Sequence, residues 1–166
     1  RRGDLLLYPG SWRRMIGHAR RYILLVEDSP NDADLIGRAI AKGDIEDMIV
    51  SVHDGQEALD FLFGDGAYAG RKDYQAPHLI LLDLKLPKIK GHEVLRLVKS
   101  DPRTKLIPVV IFTSSKEHED VRTSYELGAN SHIRKPVSFS EFTDAVRQLS
   151  SYWLTLNESL SHGGDL

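Results

Sequence analysis

The chain has 166 residues, of which 24 are acidic and 22 basic, and a formal net charge of −2 at pH 7. This length suffices for one domain with a substantial core, and the near balance of charge argues against general binding to nucleic acid or membrane. No apolar run approaches the ~20 residues that span a bilayer. The chain has no cysteine, which excludes disulfides, thiolate metal sites and cysteine nucleophiles. These features favour a cytoplasmic location.

The first 21 residues are rich in arginine. Their longest apolar run, Leu5–Leu7, is too short for a secretory signal. We predict that residues 1–21 form a flexible N-terminal extension. A basic arm that contacts an acidic partner is the alternative.

The first predicted strand is the apolar run Tyr22–Val26, which ends in two carboxylates, Glu27 and Asp28. Continuous apolar runs of this kind are typical of strands buried on both faces of a parallel sheet. Ser29 and the proline after it predict the start of the first helix, a hydroxyl cap followed by proline in the first turn. Gly43 stands where a C-terminal glycine is expected.

The second strand is predicted over about Asp47–His53, and Asp54 begins the second helix. The glycine-rich, polar segment 64–76 then forms a long connection. Loops of this length tend to be functional or mobile. We predict a mobile loop, with partner contact as the alternative. The third strand begins at His78 and ends at Asp83.

The turn 86–91 leads into the third helix, and the fourth strand, Ile107–Phe112, ends at Thr113. The segment Ser114–Glu117 predicts a capping box that begins the fourth helix. That helix is predicted to end at Leu127, before a glycine.

The fifth strand, Ser131–Arg134, is followed by Lys135 and a proline. A second capping box, Ser138–Glu141, predicts the start of the last helix. Its apolar stripe is predicted to continue through three C-terminal residues, Trp153, Leu156 and Leu160.

Five strands that alternate with five helices predict an α/β fold, a doubly wound five-stranded parallel sheet with helices on both faces. We assign residues 22–150 to this domain and residues 151–166 to an extension of the last helix and a tail. The carboxyl ends of parallel strands share one edge, where such folds place their ligand sites. That edge is predicted to gather Glu27, Asp28, Asp83, Thr113 and Lys135.

These residues, in this order and on these strand ends, resemble the receiver domain of two-component response regulators. The resemblance covers about residues 22–150 and implies the flavodoxin-like, CheY-like strand order 2-1-3-4-5. The loop after the second helix, the turn from Asp83 to Pro87 and the long last helix resemble the stand-alone receivers of the cyanobacterial phytochrome response regulator type.

Transfer of a phosphoryl group from a histidine to a carboxylate brings negative oxygens together, so a divalent cation is needed. Glu27, Asp28 and Asp83 are hard oxygen ligands, which suit Mg²⁺ or Mn²⁺. The resemblance implies that Asp83 accepts the phosphoryl group and also binds the metal. It further implies that Asp28 is a direct ligand, that Glu27 acts through a water molecule and that the backbone carbonyl of Lys85 completes the set.

The resemblance also implies that Thr113 and Lys135 bind phosphoryl oxygens and that the bond before Pro136 is cis. His132 occupies the position of the usual aromatic switch residue, which predicts a phosphorylation response that weakens at mildly acidic pH. Lys85 is expected beside the path of the hydrolytic water, which predicts a long-lived phosphoryl group. A solvated lysine is the alternative.

We therefore expect a non-enzymatic, single-domain response regulator, which accepts a phosphoryl group from a sensor histidine kinase and signals by protein contact. The alternative is a phosphorelay intermediate that passes the group to a histidine phosphotransfer protein. A metal-dependent phosphatase is disfavoured because Lys85 stands where a second acid would be needed. A flavin-binding domain is disfavoured because Glu27 and Asp28 would repel the flavin phosphate.

A homodimer is predicted through the face of the fourth helix, fifth strand and fifth helix, because its mixed charges suit reciprocal salt bridges. A solvated helical face is the alternative. The predicted face comprises Arg122, Tyr125, Glu126, Arg134, Arg147 and Trp153.

Overall fold

The computed structural model describes residues 6–7, 21–42, 48–70 and 75–160. The strands are β1 (Leu6–Leu7), β2 (Tyr22–Val26), β3 (Met48–Val52), β4 (Leu79–Leu82), β5 (Val109–Thr113) and β6 (Ser131–Arg134). The helices are α1 (Pro30–Ala41), α2 (Gly55–Phe63), α3 (Gly91–Ser100), α4 (His118–Glu126) and α5 (Phe139–Ser151). All the strand pairings are parallel, in the order β1-β3-β2-β4-β5-β6. The five longer strands have the predicted order, so the doubly wound fold is confirmed.

The short strand β1 was not predicted. Leu6 pairs with Ile49 and Leu7 with Val50, which places β1 at the edge of the sheet beside β3. Two residues carry no periodicity from which a strand can be predicted. The pairing lies within the segment that the sequence assigns to a flexible extension, and residues 8–20 lie outside the described part of the chain.

The central strands of the sheet are buried on both sides because helices pack against both of its faces. Every residue of β2, β4 and β5 is buried. Successive side chains of a strand point to opposite faces, so Tyr22 and Leu24 pack in one core with α2 and α3, whereas Ile23 and Leu25 pack in the other with α1 and α5. This burial holds the strand ends in fixed register.

Three of the predicted helix starts are confirmed by side-chain caps. The Ser29 hydroxyl accepts a hydrogen bond from the Asp32 N–H at 3.3 Å, and Asp54 caps α2 in the same way. The Ser138 hydroxyl accepts from the Glu141 N–H at 3.3 Å. The predicted C-terminal glycine, Gly43, lies outside the described residues.

The predicted capping box at Ser114–Glu117 is wrong. Helix α4 begins at His118, and the residue before it makes no side-chain cap. The Ser115 hydroxyl instead donates to the Asp120 carboxylate. The backbone N–H of Ser115 donates to the Thr113 hydroxyl oxygen at 3.3 Å. These contacts keep the segment after β5 extended and delay the start of the helix.

The chain after α5 departs from the predicted stripe. A π-helical turn, Tyr152–Leu156, follows the helix. A π turn uses more residues than an α turn, so the 3.6-residue period no longer applies. Leu154 is buried, whereas Leu156 and Leu160 are 72% and 64% exposed. The prediction of a stripe through Leu156 and Leu160 is therefore wrong.

Part of the connection after α2 is packed against the domain. A 3₁₀ turn covers Gly66–Tyr68, and the buried Tyr68 donates a hydrogen bond to Glu57 at 3.0 Å. Its ring meets the Phe61 ring edge-on at 5.1 Å. The predicted mobility therefore does not hold at Tyr68, and residues 71–74 lie outside the described part. None of the described helices has the length and apolar character needed to cross a bilayer.

Candidate functional site

The polar residues that follow the strands meet at one edge of the sheet. Beyond β4, the Asp83 N–H donates to the last carbonyl of β2 at 3.1 Å. Beyond β6, the Lys135 N–H donates to the Thr113 carbonyl at 2.8 Å. The hydrogen bonds between the strands therefore continue one residue past their ends, and they fix the backbone from which the side chains of Asp83 and Lys135 extend.

Three carboxylates form a compact group at this edge. Glu27, Asp28 and Asp83 each offer an oxygen within 4.8 Å of the others. Glu27 and Asp83 are buried, whereas Asp28 is exposed. Hard oxygen donors suit Mg²⁺ or Mn²⁺, and Mg²⁺ usually keeps several waters as ligands. A group that is buried on one side and open to solvent on the other fits such an ion.

The ammonium group of Lys135 is bonded to three carboxylates. Its Nζ donates to Glu27 at 2.7 Å, to Asp32 at 2.8 Å and to Asp83 at 3.1 Å. The lysine side chain is only 7% exposed. The Phe112 ring lies below the ammonium, with its centroid 6.0 Å from Nζ. Sequence reasoning missed Asp32, although its place four residues after Asp28 on the first turn of α1 was a signal.

Burial and pairing shift the pKa values of two groups in this cluster, Glu27 and Lys135. Desolvation raises the pKa of Glu27 to about 7 despite the contact with Lys135, and the charge of Asp83 adds to the rise. Desolvation alone would lower the pKa of Lys135, but Glu27, Asp32 and Asp83 together raise it above its ordinary value. The lysine is therefore charged at neutral pH, whereas Glu27, with its pKa raised to about 7, is partly protonated.

Thr113 is fully buried at the end of β5. Because Leu82 pairs with Ile111, the end of β5 lies beside Asp83. The hydrogen bond from Ser115 to the Thr113 hydroxyl, and the contact of Ser115 with Asp120, connect this strand end to α4. A movement of Thr113 would therefore disturb the contacts of Asp120 in the first turn of α4.

His132 lies away from the carboxylates, in a polar cluster between α3, α4 and β6. Its Nδ1 is 3.2 Å from the Ser124 hydroxyl, and Nε2 of His92 is 3.1 Å from the same oxygen. Ser124 gives its one proton to the Asp120 carbonyl at 2.6 Å, so both imidazoles act as donors. Desolvation lowers the pKa of His132, Asp120 opposes this shift and His92 adds to it.

Two details differ from, or add to, the residues implied by the resemblance. The described residues contain no cis peptide bond, so the prediction of a cis bond before Pro136 is wrong. With this bond trans, the Lys135 ammonium still contacts the Asp83 carboxylate at 3.1 Å. Lys85 has an exposed side chain, and its N–H donates to the Asp83 carboxylate at 3.3 Å.

The loop between β4 and α3 is held by contacts that the sequence did not predict. A Cβ atom on Gly91 would lie 2.3 Å from the Asp83 carbonyl oxygen, so only glycine fits there. Lys88 has a positive φ of 61°, in the left-handed region that is uncommon outside glycine, and its ammonium is 2.7 Å from Asp54. These contacts fix the backbone on which Asp83 and Lys85 are mounted.

The residues of the predicted dimer face are only partly available to a partner. Arg122 pairs with Glu126 at 2.8 Å, and Arg147 pairs with Asp144 at 2.5 Å. Tyr125 and Arg134 are exposed. Separately, Trp153 is half-buried and lines a cavity of about 260 Å³ at the opposite end of the strands, with Pro77 and Pro108.

Comparison with known proteins identifies the family. The sequence model of the response regulator receiver domain matches residues 23–147. The chain belongs to this family. The predicted membership in this family of two-component systems is thereby confirmed. Receivers are phosphorylated on an aspartate by histidine kinases and bind Mg²⁺ or a similar ion at their acidic pocket, so the predicted cofactor is supported.

Individual relatives include short response regulators. The chain is 41% identical over 138 residues to the probable methanogenesis regulatory protein FilR2 of Methanothrix harundinacea, covering 82% of this chain and 86% of that protein. It is 39% identical over 134 residues to response regulator Rcp1 of Synechocystis, covering 81% and 89%. Among solved structures, phosphorylated cyanobacterial phytochrome response regulator RcpA has a TM-score of 0.81 at 40% identity, covering 86% and 100%. The Mn²⁺-bound form of Rcp1 has a TM-score of 0.80 at 37% identity, covering 85% and 99%.

Proposed function

We propose that this protein is a single-domain response regulator whose Asp83 accepts a phosphoryl group from a sensor histidine kinase and which signals by contact with other proteins. The observation that carries the proposal is the contact of the buried Asp83 carboxylate with Lys135 at 3.1 Å, beside two further acids. The relatives Rcp1 and FilR2 are matched over most of their own length, which supports output by contact rather than through a second domain.

In the proposed reaction, an Asp83 carboxylate oxygen attacks the phosphorus of a phosphohistidine. A P–O bond forms as the P–N bond breaks, and the donor leaves as a histidine side chain. Lys135 supplies an ammonium and Thr113 a hydroxyl to the phosphoryl oxygens. Asp28 and Asp83 would hold the divalent cation directly, with Glu27 acting through a water and the Lys85 carbonyl as a further ligand. When bound, the cation reduces the repulsion between the carboxylates and the transferred group.

Electrostatic positioning is the main contribution that these residues can make. A phosphoryl group adds about two negative charges to a site in which the three clustered carboxylates outnumber the ammonium of Lys135. Preorganised positive groups around the transferred oxygens are therefore needed. Lys135 is already held at the site before the reaction, so it contributes without a large reorganisation.

We further propose that phosphorylation reaches α4 through Thr113. When Thr113 turns toward the phosphoryl oxygens, its acceptor contact with Ser115 is lost, and the bond from Ser115 to Asp120 is disturbed. Asp120 also holds the cluster that contains His132 through its carbonyl. In this proposal His132 changes its position on phosphorylation, as the aromatic switch residue does in other receivers.

The proposed output face comprises the exposed parts of α4, β6 and α5. An isologous dimer would require Arg122 and Arg147 to exchange their partners within the helix for partners across the interface. Exposed pairs contribute only ~0–1 kcal/mol each, so this exchange costs little. We therefore propose that the exposed Tyr125 and Arg134 add the contact area and charge that decide whether the dimer forms. Trp153, at the other end of the strands, has a smaller part in this proposal.

The test is incubation with acetyl phosphate and Mg²⁺, with intact mass and sedimentation velocity read on the same samples. Wild type is expected to gain one phosphoryl group, and Asp83→Asn none. Asp34→Asn is the matched control, because Asp34 is an acid of α1 that pairs with Arg38 away from the site. It should behave as wild type.

The outcomes separate the alternatives. A phosphoryl group on wild type with a change in association supports a regulator that acts through its own interface. A phosphoryl group without such a change, followed by rapid transfer to a histidine phosphotransfer protein, favours the phosphorelay intermediate. No adduct on wild type, with Mg²⁺ bound, would refute the proposal and leave a constitutive binding module.

A further inference from the structure

The ammonium of Lys135 has no proton to spare. An ammonium carries three N–H donors, and Glu27, Asp32 and Asp83 each accept one. A phosphoryl group on Asp83 would need one of these donors. Lys135 must therefore give up, or share, one of its present bonds when the site is phosphorylated.

Asp32 differs from the other two acceptors. Glu27 and Asp83 belong to the group of acids that fits a cation, and Asp32 does not. Its side chain is 31% exposed, against 2% for Glu27 and 6% for Asp83. It lies on the first turn of α1, where its own N–H is bonded to the Ser29 cap. Asp32 is thus an acid fixed by α1 at the rim, and its one contact in the cluster is with the lysine.

We propose that Asp32 is a positioning residue that holds the Lys135 ammonium toward α1 while the site is unphosphorylated and competes with the phosphoryl group for it afterwards. The contact of Asp32 with Lys135, and its expected effect on Mg²⁺ binding, stand on the geometry alone. The competition with the phosphoryl group rests on the proposed function. The two effects are measured separately.

Two consequences of opposite sign follow from the removal of this carboxylate. Without Asp32, the ammonium pairs only with Glu27 and Asp83, and so competes more strongly with a cation for them. The site also loses one negative charge. Both effects weaken Mg²⁺ binding. The same loss reduces the repulsion of an anionic phosphoryl donor and frees one N–H for the phosphoryl oxygen, so phosphorylation at saturating Mg²⁺ becomes faster.

The experiment compares Asp32→Asn with Asp34→Asn, since each removes one carboxylate from α1 and only the first touches Lys135. Titration calorimetry with Mg²⁺ on unphosphorylated protein is expected to give a dissociation constant roughly three- to tenfold weaker for Asp32→Asn, as for one charge a few ångströms away in a partly screened site. Phosphorylation by acetyl phosphate at saturating Mg²⁺ is expected to be roughly two- to fivefold faster. Asp34→Asn should change neither value.

If Asp32 had a purely structural role, Asp32→Asn would lower both the Mg²⁺ affinity and the rate of phosphorylation. Slower phosphorylation in Asp32→Asn would therefore overturn the inference. Equal Mg²⁺ affinity in the two variants would overturn it as well. The Mg²⁺ titration repeated in a Lys135→Met background isolates the route. If the full effect of Asp32→Asn remains there, the acid acts on the metal directly and not by positioning the lysine. If wild type binds Mg²⁺ but gains no phosphoryl group, the proposed function fails while the metal-related part is still tested.

Discussion

Replacement of Lys135 by methionine tests the electrostatic account of the site most directly. Methionine keeps the apolar stem of the side chain and removes the charge. The contacts at 2.7 Å to Glu27 and 3.1 Å to Asp83 are buried, so their loss leaves two carboxylates without a counter-charge. Removal of one partner from a buried ion pair costs about 3–5 kcal/mol. We expect the free energy of unfolding of metal-free protein to fall by about this amount at pH 8, with little added by the more exposed Asp32.

The loss should depend on pH because Glu27 can take up a proton. The folded pKa of Glu27 is about 7, against 4.5 for an ordinary glutamate. A raised folded pKa gives a contribution to stability that is complete below about pH 4.5 and is lost as the pH rises through about 7. Lys135 lowers this pKa, so the variant continues to lose stability above pH 7, by up to about 1.4 kcal/mol per pH unit. The difference between the proteins should therefore widen from pH 6 to pH 8.

Urea unfolding followed by circular dichroism measures these values, with and without Mg²⁺. The ion should restore part of the loss, since a ligand at one hundred times its dissociation constant stabilises by about 2.7 kcal/mol. Lys99→Met is the matched control. Lys99 is also partly buried, but its ammonium bonds to neutral acceptors, the Ile107 carbonyl at 2.8 Å and Asn130 at 3.1 Å. The loss of stability in Lys99→Met should be the same with and without Mg²⁺. A loss below about 1 kcal/mol for Lys135→Met, or one that is equal at pH 6 and pH 8, would refute the account.

Three further predictions concern protons and water at the site. Mg²⁺ affinity should fall by up to about tenfold per pH unit below about pH 7, because a proton on Glu27 competes with the ion, and calorimetry on Glu27→Gln should show a much flatter profile. The phosphorylation-dependent change in association should persist from pH 8 to about pH 6 and weaken only below it, because desolvation and His92 lower the pKa of His132 from 6.5 and so keep it neutral until more acidic pH; sedimentation across this range checks the prediction, and a response already lost at pH 6.5 would contradict it. Lys85→Asn should speed autodephosphorylation if Lys85 shields the phosphoryl group, and an unchanged decay of the intact-mass adduct would remove that role.

The strand ends were predictable from sequence because buried strands have a recognisable apolar pattern. Strands covered on both faces are continuous apolar runs, and the residue after each run is its covalent neighbour. Glu27, Asp83 and Thr113 therefore followed from the pattern once the sheet was taken as parallel. The packing of the helices onto both faces followed from the same runs and needed no knowledge of any single contact.

The remaining features depend on contacts that a local sequence pattern does not specify. Asp32 meets Lys135 across 103 residues, and only the packing of α1 against the sheet brings them together. The start of α4 depends on Ser115, whose hydroxyl contacts Asp120 rather than capping the helix. The local pattern predicted a cap at Ser114 because a serine three residues before a glutamate is the usual signature of a capping box. The π turn after α5 likewise leaves no local signal.

The charge of the site explains why a cation has to precede the phosphoryl group. Among the described residues, the Lys135 ammonium contacts Glu27, Asp32 and Asp83, and Asp28 lies beside two of these acids, so four carboxylates share the site with one ammonium. With all of them ionised, three negative charges remain, and a phosphoryl group would add about two more. Partial protonation of Glu27 relieves this excess only below about pH 7. At higher pH a divalent cation is the remaining way to reduce it, so the lysine alone cannot prepare Asp83 for an anionic donor.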